Sequence, residues 1–116
     1  MMERRSHPRV KISRPALYFT DIYARPTVAT TVDLSVGGTR IHTPYSLVSG
    51  ESLQISIAIR PQVIRCVGKV VHILEIPDGR VHAGARHEAG IRFEDMSMQD
   101  RLYLGEYLSS LMEEPS

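Results

Sequence analysis

The sequence predicts an all-β domain, a six-stranded antiparallel β-barrel with a C-terminal α-helix, and two patterns carry this prediction. Six segments rich in β-branched and aromatic residues follow one another with short links over residues 15–96. After residue 97 the spacing of the apolar residues changes from the alternation of a strand to the period of a helix. Strands joined by such short links pair in antiparallel fashion, and glycine and bulge positions supply the corners of a small barrel.

Each of the six segments is bounded by proline, glycine or a short polar turn. The segment over residues 51–59 alternates apolar residues with small or polar ones, which predicts a strand with one buried face. Gly68, inside the fifth segment, predicts a bulge or a bend. In chain order the segments are PALYFTDIYA (15–24), PTVATTVDL (26–34), GTRIHT (38–43), ESLQISIAI (51–59), QVIRCVGKVVHILEI (62–76) and VHAGARHEAGIRFED (81–95).

The C-terminal segment, residues 97–113, predicts an amphipathic helix. Ser97 is a favourable N-cap residue, and Asp100 resembles the reciprocal half of a capping box. Gly105 weakens the helix by roughly 1 kcal/mol relative to alanine, so we expect the helix to depend on docking against the barrel. The apolar stripe that would dock consists of Leu104, Leu108, Leu111 and Met112.

The composition indicates one small globular domain with an uneven distribution of charge. A chain of 116 residues with 42% hydrophobic residues supports one modest core, and its formal net charge is only +1. Residues 1–14 nevertheless carry five arginine or lysine residues against one acid, and residues 94–114 carry six acids against one arginine. We therefore expect a basic, mobile arm over residues 1–14, a barrel over residues 15–96 and a helix over residues 97–113.

Motifs of the common enzyme classes do not occur in this sequence. It has no Gly-x-Ser-x-Gly elbow, no P-loop and no Gly-x-Gly-x-x-Gly at the start of a helix. His82 and His87 lie on opposite faces of a strand without a cysteine pair beside them, so no metal site is predicted. Cys66, the single cysteine, fits a reducing cytosol, and no apolar run is long enough to span a bilayer. We expect a cytoplasmic, non-catalytic protein without a cofactor and without membrane insertion.

Two short motifs differ from this background. RRSHPR (4–9) places Arg5 and Arg9 four residues apart on an extended segment that contains a proline. DLSVGG (33–38) places Asp33 and Ser35 at alternate positions ahead of a glycine pair. Taken separately, the first motif is typical of a solvated basic tail, and the second is typical of an Asx-type turn that closes a hairpin.

Taken together, the two motifs resemble those of the PilZ domain family, bacterial receptors for cyclic di-GMP. That family carries Arg-x-x-x-Arg near the N-terminus and, later in the chain, Asp/Asn-x-Ser-x-x-Gly at the start of a barrel strand. Here Arg5 and Arg9 match the first pattern, and Asp33, Ser35 and Gly38 match the second. Three later features are also similar to the family: GKVVHI (68–73), AGIRFEDMS (89–97) and the closing helix.

The resemblance implies a cyclic di-GMP site to which the arm and the turn each contribute. The guanidinium groups of Arg5 and Arg9 match phosphate oxygens, or the O6/N7 edge of guanine, in a bidentate manner. Asp33 is expected to accept hydrogen bonds from N1–H and the exocyclic amine of guanine. Ser35 is expected to offer its hydroxyl group to a base or to a phosphate.

Four further positions complete the expected ligand-binding set. The Gly37–Gly38 pair, and Gly38 in particular, lets a ligand approach the backbone where a Cβ would intrude. His72 lies near the position where many relatives place Trp or Arg against a base, and the alternative is a half-exposed strand histidine. Arg4 directly precedes the first motif, which resembles members that bind cyclic di-GMP as an intercalated dimer, and the alternative is an Arg4 that points to solvent.

The function implied by the resemblance is that of a cyclic di-GMP receptor or adapter that changes its surface on binding and so regulates a downstream partner. The alternative is a PilZ-like adapter that binds a protein and no nucleotide. Binding to DNA or RNA is not expected, because a single-stranded nucleic-acid platform needs exposed aromatic residues and the chain has two Phe, five Tyr and no Trp.

Overall fold

The computed structural model of the chain describes residues 8–21, 25–76 and 85–112. Within these ranges it contains seven strands and one helix. The elements are β1 (Val10–Lys11), β2 (Pro15–Thr20), β3 (Thr27–Leu34), β4 (Gly38–Thr43), β5 (Ser52–Ile59), β6 (Gln62–Glu75), β7 (His87–Met96) and α1 (Met98–Met112).

Six of the strands close into an antiparallel barrel, as the sequence predicts. The sheet has the order β1-β3-β2-β5-β6-β7-β4, and an additional pairing between β3 and β4 joins the two sides. The register of β6 against β7 shifts between Val67 and Gly68, which confirms the bulge predicted at that glycine. Within the described ranges, no helix combines the length and the apolar character required to cross a lipid bilayer.

The barrel interior follows from the alternation of side chains along the strands. In β5 the predicted inward residues Leu53, Ile55, Ile57 and Ile59 are each 3% exposed or less. Burial of one such side chain contributes about 1.5–3 kcal/mol. The buried face of β5 therefore forms one wall of the barrel core.

The end of the predicted arm forms a short strand rather than a free tail. In β1, Val10 pairs with Leu34 and Lys11 pairs with Asp33 of β3. The backbone N–H of Ile12 then donates to the carbonyl of Val32 at 3.1 Å. This pairing brings Arg9 beside the end of β3, while residues 1–7 of the predicted arm lie outside the described residues.

The helix is capped and docked by several polar contacts. The Ser97 hydroxyl accepts the N–H of Asp100 at 3.0 Å, which confirms the predicted N-cap. The Asp100 carboxylate accepts the backbone N–H of Arg65 at 2.9 Å and so ties the helix to β6. The Tyr107 hydroxyl receives Nη2 of Arg14 at 2.6 Å, which joins the helix to the chain between β1 and β2.

The buried face of the helix is narrower than predicted. Leu104 and Leu108 are at most 3% exposed, and Leu111 is partly buried against the core. Met112 is 45% exposed, so its assignment to the buried stripe is wrong. It follows Leu111 directly, and one residue turns the side chain by about 100° around the helix axis, away from the barrel.

We expect Gly105→Ala to stabilise the protein. A Cβ at this helical position would lie 3.9 Å from Cγ1 of Val36, an ordinary contact distance. Alanine loses less conformational entropy than glycine on helix formation, so the free energy of unfolding should rise by about 0.5–1 kcal/mol. Urea unfolding measures it, and a lower midpoint would show that the helix and the turn after β3 are packed too tightly for a methyl group.

Candidate functional site

The turn between β3 and β4 is held by Ser35. The Ser35 N–H donates to the carbonyl of Gly38 at 2.9 Å, and its hydroxyl accepts the N–H groups of Gly37 and Gly38, each at 3.1 Å. The Ser35 residue is 3% exposed. Its hydroxyl therefore organises the turn in this structure, which is the local role that a Ser in a tight turn commonly has.

Gly38 is required by the approach of two strands. It begins β4 and pairs with Arg92 of β7. A Cβ on Gly38 would lie 2.3 Å from the carbonyl oxygen of Ile91, a distance that neither backbone can accept without moving. A packing requirement thus explains this glycine independently of any ligand, and the ligand approach expected for Gly38 stays a prediction.

Asp33 is a buried carboxylate that is fully surrounded by donors. It lies next to the end of β3 and is 2% exposed. Its Oδ1 accepts Nη1 of Arg9 at 2.8 Å and the backbone N–H of Arg40 at 3.2 Å, and its Oδ2 accepts Nε of Arg40 at 2.7 Å. A charge this deeply buried is stable only when it is paired and hydrogen-bonded, and here two guanidinium groups do both.

The pairing continues onto β7. Nη1 of Arg40 lies 3.2 Å from Oε2 of Glu88, and Nε2 of His42 lies 3.1 Å from Oε1 of the same carboxylate. The hydrogen bond to Asp33 is the main cause that raises the pKa of Arg40 above its ordinary value, with Glu88 adding to it. We call Arg9, Asp33, Arg40, His42 and Glu88 the Asp33 cluster.

The structure brings the two sequence motifs together. Arg9 and Asp33 are 24 residues apart in the chain, and their side chains form a 2.8 Å ion pair because β1 lies along β3. The same turn holds Ser35, Gly37 and Gly38 beside Asp33. The other two arginines of the predicted ligand-binding set, Arg4 and Arg5, lie outside the described residues.

His72 is exposed on β6 and lies on the same row of the sheet as Asp33. Asp33 pairs with Arg40, Arg40 pairs with Gly90, and Gly90 pairs with His72. Three strand spacings place His72 roughly 14 Å from Asp33 along the sheet. His72 is therefore not part of the Asp33 cluster, and its contact with a ligand stays a prediction.

Arg40 and Glu88 are residues of this site that the sequence analysis does not single out. A signal for Arg40 does exist, because the hairpin around Ser35–Gly38 pairs Leu34 with Thr39 and Asp33 with Arg40. Side chains of such opposed pairs lie on the same face of a sheet and contact each other. Glu88 joins the site only through the pairing of β4 with β7, which short-range spacing does not reveal.

Cys66 does not contribute a reactive group to this region. Its side chain is buried, and burial is the main cause that raises the pKa of its thiol to about 12. The thiolate is the nucleophilic form of cysteine and is scarcely populated near neutral pH with such a pKa. Cys66 is therefore a buried structural residue of β6.

Comparison with known proteins identifies the domain. The family model described as "PilZ domain" matches residues 3–110 of the chain. No curated protein matches the sequence. Several solved structures do match in fold, and the three described next represent them.

The structure of the inhibitor of motility MotI/DgrA of Bacillus subtilis has a TM-score of 0.77 at 17% identity, covering 97% of this chain and 54% of that one. The PilZ domain of Escherichia coli YcgR with c-di-GMP has a TM-score of 0.74 at 19% identity, covering 95% of this chain and 92% of that one. The K. pneumonia MrkH–c-di-GMP complex has a TM-score of 0.78 at 15% identity, covering 96% and 53%.

At these identities the likeness to solved structures shows the fold alone. The chain spans about half the length of MotI/DgrA and of MrkH, with 54% and 53% of those chains covered. The membership follows from the family match, which extends over nearly the whole sequence and includes the basic segment, the barrel and the helix. The chain belongs to the PilZ domain family.

Proposed function

We propose that this chain is a non-catalytic receptor for cyclic di-GMP, which binds where the end of β1 meets the β3–β4 turn. The observation that carries the proposal is the 2.8 Å contact between Arg9 and Asp33, beside the turn that Ser35 and Gly38 form. A guanidinium group and a carboxylate at one place supply donors for phosphate and acceptors for the N–H groups of guanine.

Two of the structural neighbours support this choice of ligand. The YcgR and MrkH structures are complexes with c-di-GMP, and both share the barrel and helix of this chain. Fold likeness at 19% and 15% identity does not transfer a ligand by itself. The argument therefore rests on the residues of this chain that occupy the motif positions.

Binding at this site requires an exchange of partners. Arg9 and two donors of Arg40 already occupy the carboxylate of Asp33. For Asp33 to accept N1–H and the amine of guanine, Arg9 has to leave or share Oδ1. Arg9 is the partner suited to leave, because in the described chain it gives Asp33 one hydrogen bond where Arg40 gives two, and its guanidinium group can turn to a phosphate of the arriving ligand.

The signal would pass to a downstream protein through the surface around β1. The strand contains only Val10 and Lys11, so its two register pairs with β3 hold it weakly compared with the longer strands. Ligand binding that draws Arg9 away from Asp33 would shift this strand and the basic segment before it. An ordered or repositioned segment is a surface that a partner protein can recognise.

One observation favours the alternative, an adapter that binds protein and no nucleotide. The charges of Arg9 and Arg40 are already balanced by Asp33 and Glu88 without a ligand. A site that is satisfied in this way needs no nucleotide to be stable. The alternative function would use the barrel surface and leave the Asp33 cluster as a structural ion-pair network.

Isothermal titration with cyclic di-GMP, cyclic di-AMP, GMP and a short RNA separates these functions. We expect cyclic di-GMP alone to bind tightly, and Asp33→Asn to remove most of its advantage over cyclic di-AMP. A site built for particular hydrogen bonds leaves buried groups unpaired with the wrong base. If none of the four compounds gives binding heat, the adapter function is favoured. If the two cyclic dinucleotides bind with equal affinity, Asp33 does not distinguish guanine from adenine.

The same titration measures the number of ligands. The extra arginine at position 4 is expected to find a phosphate or a guanine edge that only a stacked pair of dinucleotides offers. We therefore expect two ligands per chain, and one per chain in Arg4→Leu. The titration is made at a known concentration of active protein. One ligand per unmodified chain would reject the stacked pair of dinucleotides and would leave the receptor assignment intact.

A further inference from the structure

Arg40 has donor groups that its protein partners do not use. Nε is bound to Asp33 at 2.7 Å and Nη1 to Glu88 at 3.2 Å. A guanidinium group has five N–H donors in a fixed plane. In the described part of the chain, Nη2 of Arg40 makes no hydrogen bond, and the side chain is 38% exposed. Solvent therefore reaches part of this side chain, and neither carboxylate uses the N–H groups of Nη2, which we call its free edge.

The two carboxylates also fix the direction of that free edge. Asp33 lies on β3 and Glu88 on β7, on either side of Arg40 in β4. A side chain that is already held in this way loses little conformational entropy when it binds a further acceptor. Arg9, in contrast, has a single ion-pair partner in the described chain and has to change that partner when a ligand arrives.

Charge balance gives Arg40 a second role in the same event. Asp33 is 2% exposed in the structure, and if Arg9 turns to the ligand its carboxylate still needs a cation. Arg40 supplies it through its backbone N–H and its Nε. The Nη2 edge remains free for the anionic ligand while this contact is kept.

The geometry points to Arg40 as a further ligand-binding residue of the site. Its Nη2 edge donates to a phosphate oxygen or to guanine O6 of the bound dinucleotide while Nε stays on Asp33. This inference rests on the proposed function and adds to it a residue outside both sequence motifs. The competing explanation is a structural strap, in which Arg40 only joins β3, β4 and β7.

Four variants, titrated with cyclic di-GMP, test this inference. Arg40→Ala is expected to weaken binding by about 10-fold or more, the usual loss for a charge-assisted hydrogen bond. Arg65→Ala is the matched control, because Arg65 is an exposed strand arginine at the register of Ser56 in β5. Arg40→Lys keeps the charge beside Asp33 without the planar fork, so it should restore thermal stability but only part of the affinity.

Glu88→Gln distinguishes an Arg40 that contacts the ligand from an Arg40 that only joins β3, β4 and β7. Removing this negative charge weakens the hold on Nη1 of Arg40 and lowers the repulsion of an anionic ligand. If Arg40 contacts ligand, the affinity of Glu88→Gln is expected to stay the same or to rise by up to about fivefold. If Arg40 only joins the strands, the loss of this ion pair would instead lower affinity in step with stability, as Arg40→Ala would.

The outcomes distinguish this inference from the proposed function. If the wild-type chain binds and Arg40→Ala and Arg65→Ala bind with equal affinity, Arg40 does not contact the ligand. The proposed receptor function would be unaffected by that result. A parallel loss of affinity and stability in Arg40→Ala and Glu88→Gln would overturn the role of Arg40 as well. A wild-type chain that does not bind cyclic di-GMP would reject the receptor and the role of Arg40 together.

Discussion

Arg9→Ala is expected to weaken cyclic di-GMP binding by about 10- to 150-fold, which corresponds to the 1.5–3 kcal/mol of a hydrogen bond to a charged group. Arg9 is the one arginine of the first motif that the described structure includes, and it lies 2.8 Å from Asp33. The variant loses the guanidinium group that the ligand would recruit. Isothermal titration measures the change, and Arg5→Ala is expected to have a similar effect.

The fold of Arg9→Ala should remain intact, because Arg40 still pairs with the buried Asp33 carboxylate when the Arg9 side chain is removed. Asp33 keeps two hydrogen bonds from Arg40, one from its backbone N–H and one from its Nε. Arg65→Ala is the matched control, since Arg65 is an exposed strand arginine on β6. Equal losses in the two variants would indicate diffuse attraction of the ligand and not a contact by Arg9.

Gly38→Ala is expected to lower the free energy of unfolding strongly. We expect this loss to be larger than that of any other Gly→Ala substitution at the described glycines near β3 and β4. The added Cβ would lie 2.3 Å from the carbonyl oxygen of Ile91, so β4 and β7 would have to separate. Overpacking of this kind costs about 1–3 kcal/mol and more where backbone has to move. Urea unfolding of the variant measures the loss directly.

The control for Gly38→Ala is Gly105→Ala, in which the nearest atom to the new Cβ is 3.9 Å away and stability should increase. The comparison of these two variants also affects how a loss of ligand binding in motif variants is interpreted. Loss of ligand binding in Gly38→Ala would follow from a distorted sheet even if no ligand atom approached the glycine. An unfolding midpoint equal to that of the wild type would contradict the close approach of β4 to β7.

The sequence predicts those parts of the fold that depend on local periodicity. Alternation along residues 51–59 identifies the buried face of β5, and Ser97 marks the start of the helix. The strand Val10–Lys11 has only two residues, too few for any period, and it exists because β3 offers an edge to it. Its pairing is what brings Arg9 to Asp33.

The residues of the candidate site fall into the same two groups, those that a local pattern predicts and those that depend on the pairing of distant strands. Asp33, Ser35 and Gly38 occur within one hairpin, so a local motif predicts that they lie together. The contacts of Arg40 and Glu88 depend on which strand follows which around the barrel. Asp100 shows the same limit, because its carboxylate contacts Arg65, which is 35 residues away, and local spacing predicts only the nearby helix end.

An NMR titration of the ¹⁵N-labelled chain with cyclic di-GMP tests the central claim most directly, because it reports whether the ligand binds and where. We expect the largest amide shifts at residues 9–12 and 33–40, with a further shift at the Nε–H of Arg40, and small shifts along α1. No shift at ligand excess, or shifts confined to α1 and to the far side of the barrel around β5, would contradict a cyclic di-GMP site at the Asp33 cluster.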